Sequence, residues 1–261
     1  MSDILTIPLV ILGGGIWGSF LGVLAVRLPK RLSIAFPGSR CDHCGTPLTL
    51  PELLPFLSWI WLKGRCRTCH QRILPELPLS EALTALFFLL LFWLAPSPLS
   101  GIRDILLFTF ALPLTLIDIR YKRLPHSLTI PCIAGGILLG GFSRGSHGLM
   151  EAFVGALTGF LPIALLARLY PGGIGMGDAF WLSAIGSLTG AGALSLVLLI
   201  ASSTGIVATF LVYWIRRHQS DVSLFRLVMP FGPFLSLGAL VTLLVPGLSH
   251  LFNTTLKEIL P

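Results

Sequence analysis

Apolar runs dominate this chain, and its polar residues gather in one place. A bilayer-crossing helix needs about 20 mainly apolar residues, fewer when it is packed inside a bundle. Eight stretches fit that pattern: 4–26, 78–95, 102–119, 128–142, 149–168, 178–190, 192–215 and 230–248. The shortest, 178–190, is also compatible with a re-entrant helix. The pattern predicts an all-α polytopic membrane protein of about eight transmembrane helices. The only sizeable polar region is 27–77, between the first two spans. Inside it, the apolar run 53–62 (LLPFLSWIWL) is too short to span, so it is expected to pack on the loop's own core or lie at the membrane interface. The expected organisation is a first transmembrane helix over 1–26, a loop domain over 27–77 and a helical bundle over 78–261.

Composition narrows the possibilities. With 54% hydrophobic and 11% charged residues, neither a soluble enzyme nor a disordered chain is expected. The net charge of +7 is too scattered among apolar runs to form a nucleic-acid-binding face. The basic residues orient the chain instead, because short cytoplasmic loops retain Lys and Arg. With the N-terminus outside, Arg27, Lys30, Arg31, Arg40, Lys63, Arg65, Arg67, Arg72, Arg120, Lys122, Arg123, Arg168, Arg216, Arg217 and Arg226 fall inside. Only Arg103, Arg144 and Lys257 fall outside. The first span has Asp3 and no basic residue before it, with Arg27, Lys30 and Arg31 directly after, so it reads as a retained anchor rather than a secretory signal.

The polar loop holds Cys41-Asp42-His43-Cys44 and Cys66-Arg67-Thr68-Cys69, two C-x-x-C pairs separated by 21 residues. Four thiolates can close a tetrahedral zinc site, and a small polar segment on the reducing side of a membrane gains from such a staple. Structural zinc on Cys41, Cys44, Cys66 and Cys69 is the first reading, with redox-active or unliganded cysteines as the alternatives. With all four positions filled by protein, that zinc has no open catalytic position. His43 and His70 flank the pairs as solvated residues, and Cys132 stands alone in an apolar run as a small core residue.

Acids inside spans are costly and usually functional. Asp118, Asp178 and Glu81 are embedded in apolar sequence, whereas Asp104 and Glu151 fall nearer the outer ends. Asp118 closes the third span before Arg120, Lys122 and Arg123, and Asp178 opens the sixth after Gly172, Gly173, Gly175 and Gly177. The topology therefore brings both carboxylates to the same inner depth from opposite chain directions. Two close carboxylates share a proton and act as the general base and general acid of an aspartic protease. The plainer alternative pairs Asp118 with its basic neighbours and makes Asp178 a helix cap. The glycine run lacks the Lys-Ser/Thr ending of a phosphate-binding loop and instead suggests a closely approachable backbone beside an acid. Gly14, Gly18 and Gly22 form a small-x-x-x-small stripe suited to tight helix packing.

These residues resemble the bacterial prepilin peptidases, or type IV leader peptidases, of the GxGD class of membrane aspartic proteases. The likeness rests on GSFLGVLAVRLP at 18–29, the cysteine pairs around LLPFLSWIWLKGRC, PLSEALTA at 78–85, LIDIRYKRLP at 116–125, GMGD at 175–178 and MPFGPFLSLGA at 229–239. It implies an enzyme of the bacterial inner membrane that cuts basic leaders from type IV prepilins or type II secretion pseudopilins at the cytoplasmic face. It further implies methylation of the new N-terminus with S-adenosylmethionine, Asp118 and Asp178 as catalytic residues, and the four cysteines as zinc-type knuckles. Pilin-like helices and membrane lipids are the expected partners, without nucleic acid. Three positions depart from the family pattern: Gly22 where Asn is common, His126 where Asp is usual, and Phe180 where Lys is frequent. Competing expectations are a proton-coupled transporter using the two aspartates as a relay and a catalytically altered relative that binds pilin helices as an assembly factor.

Overall fold

The computed structural model describes residues 2–36, 38–170, 175–216, 229–245, 247–248, 251–252 and 254. Gly172 and Gly173 of the glycine run, and Arg217, Arg226 and Lys257 of the charge count, lie outside the described residues. The described chain is helical: α1 (Ser2–Arg27), α2 (Leu57–Trp61), α3 (Glu76–Leu94), α4 (Pro98–Tyr121), α5 (His126–Leu169), α6 (Met176–Thr189), α7 (Ala191–Arg216) and α8 (Gly232–Leu244). A 3-10 turn at Leu50–Leu53 precedes α2. Extended pairing among the described residues is limited to two isolated bridges, Arg40 with Pro47 and Arg65 with Arg72.

Among the described residues, four helical stretches are long and apolar enough to cross a membrane: Leu5–Arg27, Glu76–Leu94, His126–Leu169 and Ala191–Arg216. α5 takes in both 128–142 and 149–168 within 44 residues, and its helical geometry breaks at Arg144 and Gly145. Gly145 has a φ of 61°, a conformation open to glycine without steric cost. α4 carries Arg103, Asp104, Asp118 and Arg120 along its length. α6 and α8 have only 14 and 13 residues. Short helices survive in apolar surroundings when other helices cover them, and α6 is buried without interruption from Trp181 to Leu188.

The chain divides into two compact units, Met1–Pro96 and Ser97–Pro261. In the first, α1 packs along α3 through its glycine stripe. A Cβ at Gly14 would lie 2.7 Å from the Ala85 Cα, and one at Gly18 would lie 2.7 Å from the Glu81 Cα. At Gly22 it would run into the Ser80 hydroxyl, so the residue found here is matched to Ser80. Removing side chains lets two backbones approach, which is how helices gain dispersion contact where lipid offers no hydrophobic drive.

In the second unit, α5 and α6 cross in the same way. Gly155 and Gly186 oppose each other backbone to backbone, and a Cβ on either would strike the other's carbonyl. We expect Gly186→Leu to cost about 3 kcal/mol or more through overpacking, read as a lowered thermal midpoint of the full chain in detergent. Gly205→Ala in α7 is the control, because the nearest contact of its Cβ would be Phe234 at an ordinary 3.4 Å. An unchanged midpoint for Gly186→Leu would show that the α5–α6 crossing is not a tight contact.

Candidate active site and metal centre

α4 ends at Lys122, whose left-handed φ of 52° and N–H bond to the Asp118 carbonyl (2.8 Å) stop the helix. Leu124 follows and is buried, and Pro125 then starts α5. This turn places Leu124 at the centre of the site. A Cβ at Gly177 would lie 3.0 Å from the Leu124 Cβ, and one at Gly232 would lie 3.0 Å from the Leu124 Cδ2. Asp178 is next to Gly177 in sequence, and Asp118 binds Gly232 directly: the Gly232 N–H donates to Asp118 Oδ2 at 2.9 Å. The two carboxylates thus converge around one leucine.

Each carboxylate is held differently. Asp118 is buried at the inner end of α4, and its Oδ2 faces the first turn of α8. Asp178 is half-buried at the third position of α6, where its Oδ2 accepts the N–H of the N-cap residue Gly175 at 3.3 Å. A cap role for Asp178 is therefore realised, and it fixes the carboxylate in place. Gly175 also leaves room for that carboxylate, because a Cβ there would lie 3.2 Å from Asp178 Oδ2. A buried hydrogen-bond chain reaches Asp118 from behind. Trp181 Nε1–H donates to Ser236 Oγ (3.1 Å), the Ser236 hydroxyl donates to the Gly232 carbonyl (2.9 Å), and Gly232 N–H donates to Asp118. α6 and α8 are in this way tied to each other and to the end of α4.

Two of the departures from the family pattern meet beside this site. The rings of His126 and Phe180 lie 4.5 Å apart at 62°, and Phe180 also packs against Phe160 at 5.0 Å. Where the resemblance leads one to expect an acid and a base, two rings are in edge-to-face contact. On the other side, an apolar cavity of about 430 Å³ lies between α7 and the segment leading into α8. It is lined by Ile206, Phe210, Met229, Pro230, Phe231 and Phe234, with Ser202, Gly205 and Thr209. Phe231 adjoins Gly232, so the cavity begins one residue from the Asp118 hydrogen bond. A second cavity of about 720 Å³ includes Arg103, Arg144, His147 and Glu151. Arg103 is fifteen residues from Asp118 on α4, about 22 Å along the helix axis.

The four cysteines come together in the loop of the first unit. Each C-x-x-C pair sits in the same turn: Cys41 N–H bonds the Thr46 carbonyl and Gly45 N–H the Cys41 carbonyl, while Cys66 N–H bonds Gln71 and His70 N–H bonds Cys66. Gly45 and His70, each directly after the second cysteine, both have positive φ (70° and 55°). The two knuckles face each other. Cys41 Sγ lies 3.7 Å from Cys69 Sγ, Cys44 Sγ lies 3.9 Å from Cys66 Sγ, and all four sulfurs lie within 4.8 Å of one another. A tetrahedron with metal–sulfur bonds of about 2.3 Å has sulfur–sulfur edges of about 3.8 Å, so this donor set can hold a metal ion. Two of the thiols are shifted toward the thiolate, whereas burial and the neighbouring thiols push Cys69 up to about 12. The Thr46 hydroxyl and backbone N–H lower the Cys44 thiol to about 6, and the backbone N–H groups of Cys69 and Thr68 lower Cys66. Glu52 ties the loop together: it accepts the N–H and hydroxyl of Thr49 at 2.7 Å and reaches Arg67 of the second knuckle at 3.4 Å.

Comparison with known proteins places this arrangement. Residues 12–95 match the bacterial peptidase A24 N-terminal domain, and residues 105–212 match the type IV leader peptidase family. A prepilin leader peptidase/N-methyltransferase of Pectobacterium carotovorum subsp. carotovorum is 34% identical over 90% of this chain and 91% of its own length. The chain belongs to the type IV leader peptidase family. Among other relatives in the family, a prepilin leader peptidase/N-methyltransferase of Aeromonas hydrophila is 36% identical over 87% of this chain and 86% of its own. A type 4 prepilin-like proteins leader peptide-processing enzyme of Escherichia coli O78:H11 is 32% identical over 92% and 94%. No solved structure matches the chain. Within this leader-peptidase architecture, sequence reasoning did not single out Leu124, Trp181, Gly232 or Ser236. Leu124, Gly232 and Ser236 lie in two motifs that carry the family likeness, LIDIRYKRLP and MPFGPFLSLGA, and Trp181 follows GMGD by three positions.

Proposed function

We propose that this chain cleaves the basic leader from type IV prepilins or pseudopilins at the cytoplasmic face of the bacterial inner membrane, with Asp118 and Asp178 as its aspartate dyad. The observation that carries this reading is the convergence of the two carboxylates around Leu124 from opposite chain directions. The dyad holds one proton between its two members. The ionised member takes a proton from water as the water oxygen bonds to the scissile carbonyl carbon, and the protonated member donates to the carbonyl oxygen. Collapse of the tetrahedral species breaks the C–N bond: the leaving nitrogen takes a proton from one member of the dyad while a hydroxyl of the tetrahedral species returns one to the other. Gly232 N–H and Gly175 N–H position the carboxylates through this cycle.

In this reading the four thiolates hold a structural zinc that shapes the loop and takes no part in hydrolysis. Methylation of the new N-terminus with S-adenosylmethionine is the second activity named for the relatives. The apolar cavity nearby does not itself fit that donor: nine residues line it, mostly apolar, and the Thr209 hydroxyl there is already bonded to the Gly205 carbonyl at 2.7 Å. No methyl-transfer step is therefore assigned to particular residues. The decisive experiment incubates the purified chain in detergent with a prepilin, with and without S-adenosylmethionine, and records product mass. Leader loss supports the peptidase and a methyl-sized gain supports the transferase, whereas intact prepilin beside an active control peptidase removes both.

The apolar cavity next to Phe231 suits the hydrophobic helix that follows a pilin leader. Filling it by Gly205→Phe is expected to raise KM for prepilin about tenfold with little change in kcat, the signature of lost uniform binding. An equal fall in kcat would move the cavity from binding to the chemistry.

A further inference from the structure

The run 53–62 enters neither the dyad nor the metal centre, and Glu81, the third acid embedded in apolar sequence, is not used by the proposed chemistry. The two meet. The Phe56 N–H donates to Glu81 Oε2 at 2.8 Å. A Cβ at Gly15 would lie 2.7 Å from the Pro55 Cβ and 3.0 Å from the Phe56 ring. These contacts fix the depth of the run. Glu81 is five residues into α3 from its loop end, about 8 Å, and Gly15 is twelve residues from the loop end of α1, about 18 Å. Both helices are long and apolar enough to cross the membrane. Pro55 and Phe56 thus sit beside the membrane-crossing part of α1 and α3 and not beyond their ends.

We propose that residues 53–62 form a re-entrant wedge inserted into the leaflet on the loop side, with lipid acyl chains as the partner of its outer face. Leu57, Ile60 and Trp61 are 60%, 65% and 79% exposed, and Leu12 and Ile16, which flank Gly15 on α1, are exposed with them. The apolar surface of the wedge continues that of a membrane helix. Much of its backbone meets the condition for entering lipid, where an unpaired N–H costs several kcal/mol. Pro55 has no N–H, and the N–H groups of Leu57, Ser58, Ile60 and Leu62 bond to carbonyls inside the run. Phe56, at the tip with a φ of 47°, breaks the helical pattern, and its N–H is the one that Glu81 takes. Glu81 is accordingly a positioning residue that closes the backbone of the wedge. Trp59, packed on Gly64, and Trp61 stand at the end nearer the knuckles, where an amphipathic ring suits the membrane surface.

The test places a photo-crosslinking benzoylphenylalanine at position 60, or at position 43 in the first knuckle, in the full chain reconstituted into phospholipid vesicles. Irradiation is expected to give acyl-chain adducts at position 60 about fivefold or more above position 43. Equal yields, or adducts at position 60 with protein alone, would overturn the wedge. Glu81→Gln keeps an oxygen acceptor for Phe56 and should preserve the position-60 adducts, whereas Glu81→Ala should reduce them. If both variants keep full lipid adducts, Glu81 does not position the wedge. Because the readout is lipid contact, it stands or falls separately from leader cleavage.

Discussion

Asp118→Asn and Asp178→Asn, made separately, are each expected to lower prepilin cleavage by about 10³-fold or more while leaving the chain folded in detergent. The size follows from removing a proton-cycling group from general acid–base catalysis, and an amide cannot take up or release the proton that the cycle needs. Folding should survive because the contacts that hold each position persist in the amide. The amide oxygen introduced at position 118 can still accept the Gly232 N–H, and the one introduced at position 178 can still accept the Gly175 N–H. The measurement is product formed per unit time, with melting temperature recorded beside it. If one single variant retained near-normal cleavage and only the double variant lost it, the two carboxylates would not be acting as a dyad. The transporter reading separates from the peptidase here, since a proton relay predicts no cleavage by the unmodified chain.

Loss of a single cysteine ligand is the second large effect. Structural zinc contributes apparent binding energies of about 10–16 kcal/mol in small zinc-folded peptides at neutral pH, and the contacts of the 27–77 loop with Glu81 and Gly15 hold Pro55 and Phe56 rather than the knuckles. Among its buried hydrophobic residues is Cys66 itself. Cys66→Ser is expected to reduce zinc measured in the purified chain from near one per chain to less than half. Protease cutting at the exposed Lys63 and Arg65 should increase with it. Cys132→Ala, which removes the lone buried cysteine of α5, is expected to keep full zinc. Full occupancy in Cys66→Ser would argue against a four-thiolate site. Because both knuckles belong to the first unit and the dyad to the second, the unfolding of the loop and the loss of cleavage can be recorded as separate quantities.

The helices were largely legible in the sequence because spanning a bilayer demands long apolar runs, and that demand is local. The eight expected segments correspond to α1, α3, α4, the two parts of α5, α6, α7 and α8. The expectation for 53–62 left the loop core and the membrane interface open, and only the packing brought the tip of the run against Gly15 of α1 and Glu81 of α3. Hydropathy could not have done so: a ten-residue apolar run reads the same against a loop core as beside a membrane helix.

Residue type and spacing were enough to define the chemistry available to this protein: two acids set into apolar surroundings, two cysteine pairs at metal-binding spacing, and a glycine stripe on α1. These are local properties, which no partner is needed to define. What surrounds them came from the packing of the helices. Leu124 between Gly177 and Gly232, the chain of donors from Trp181 through Ser236 to Asp118, the rings of His126 and Phe180 in contact, and Glu81 closing the backbone at Phe56 each join residues far apart in the chain. Such pairings depend on how closely helices approach and on which buried polar group lacks a partner, and neither quantity is carried by a local pattern.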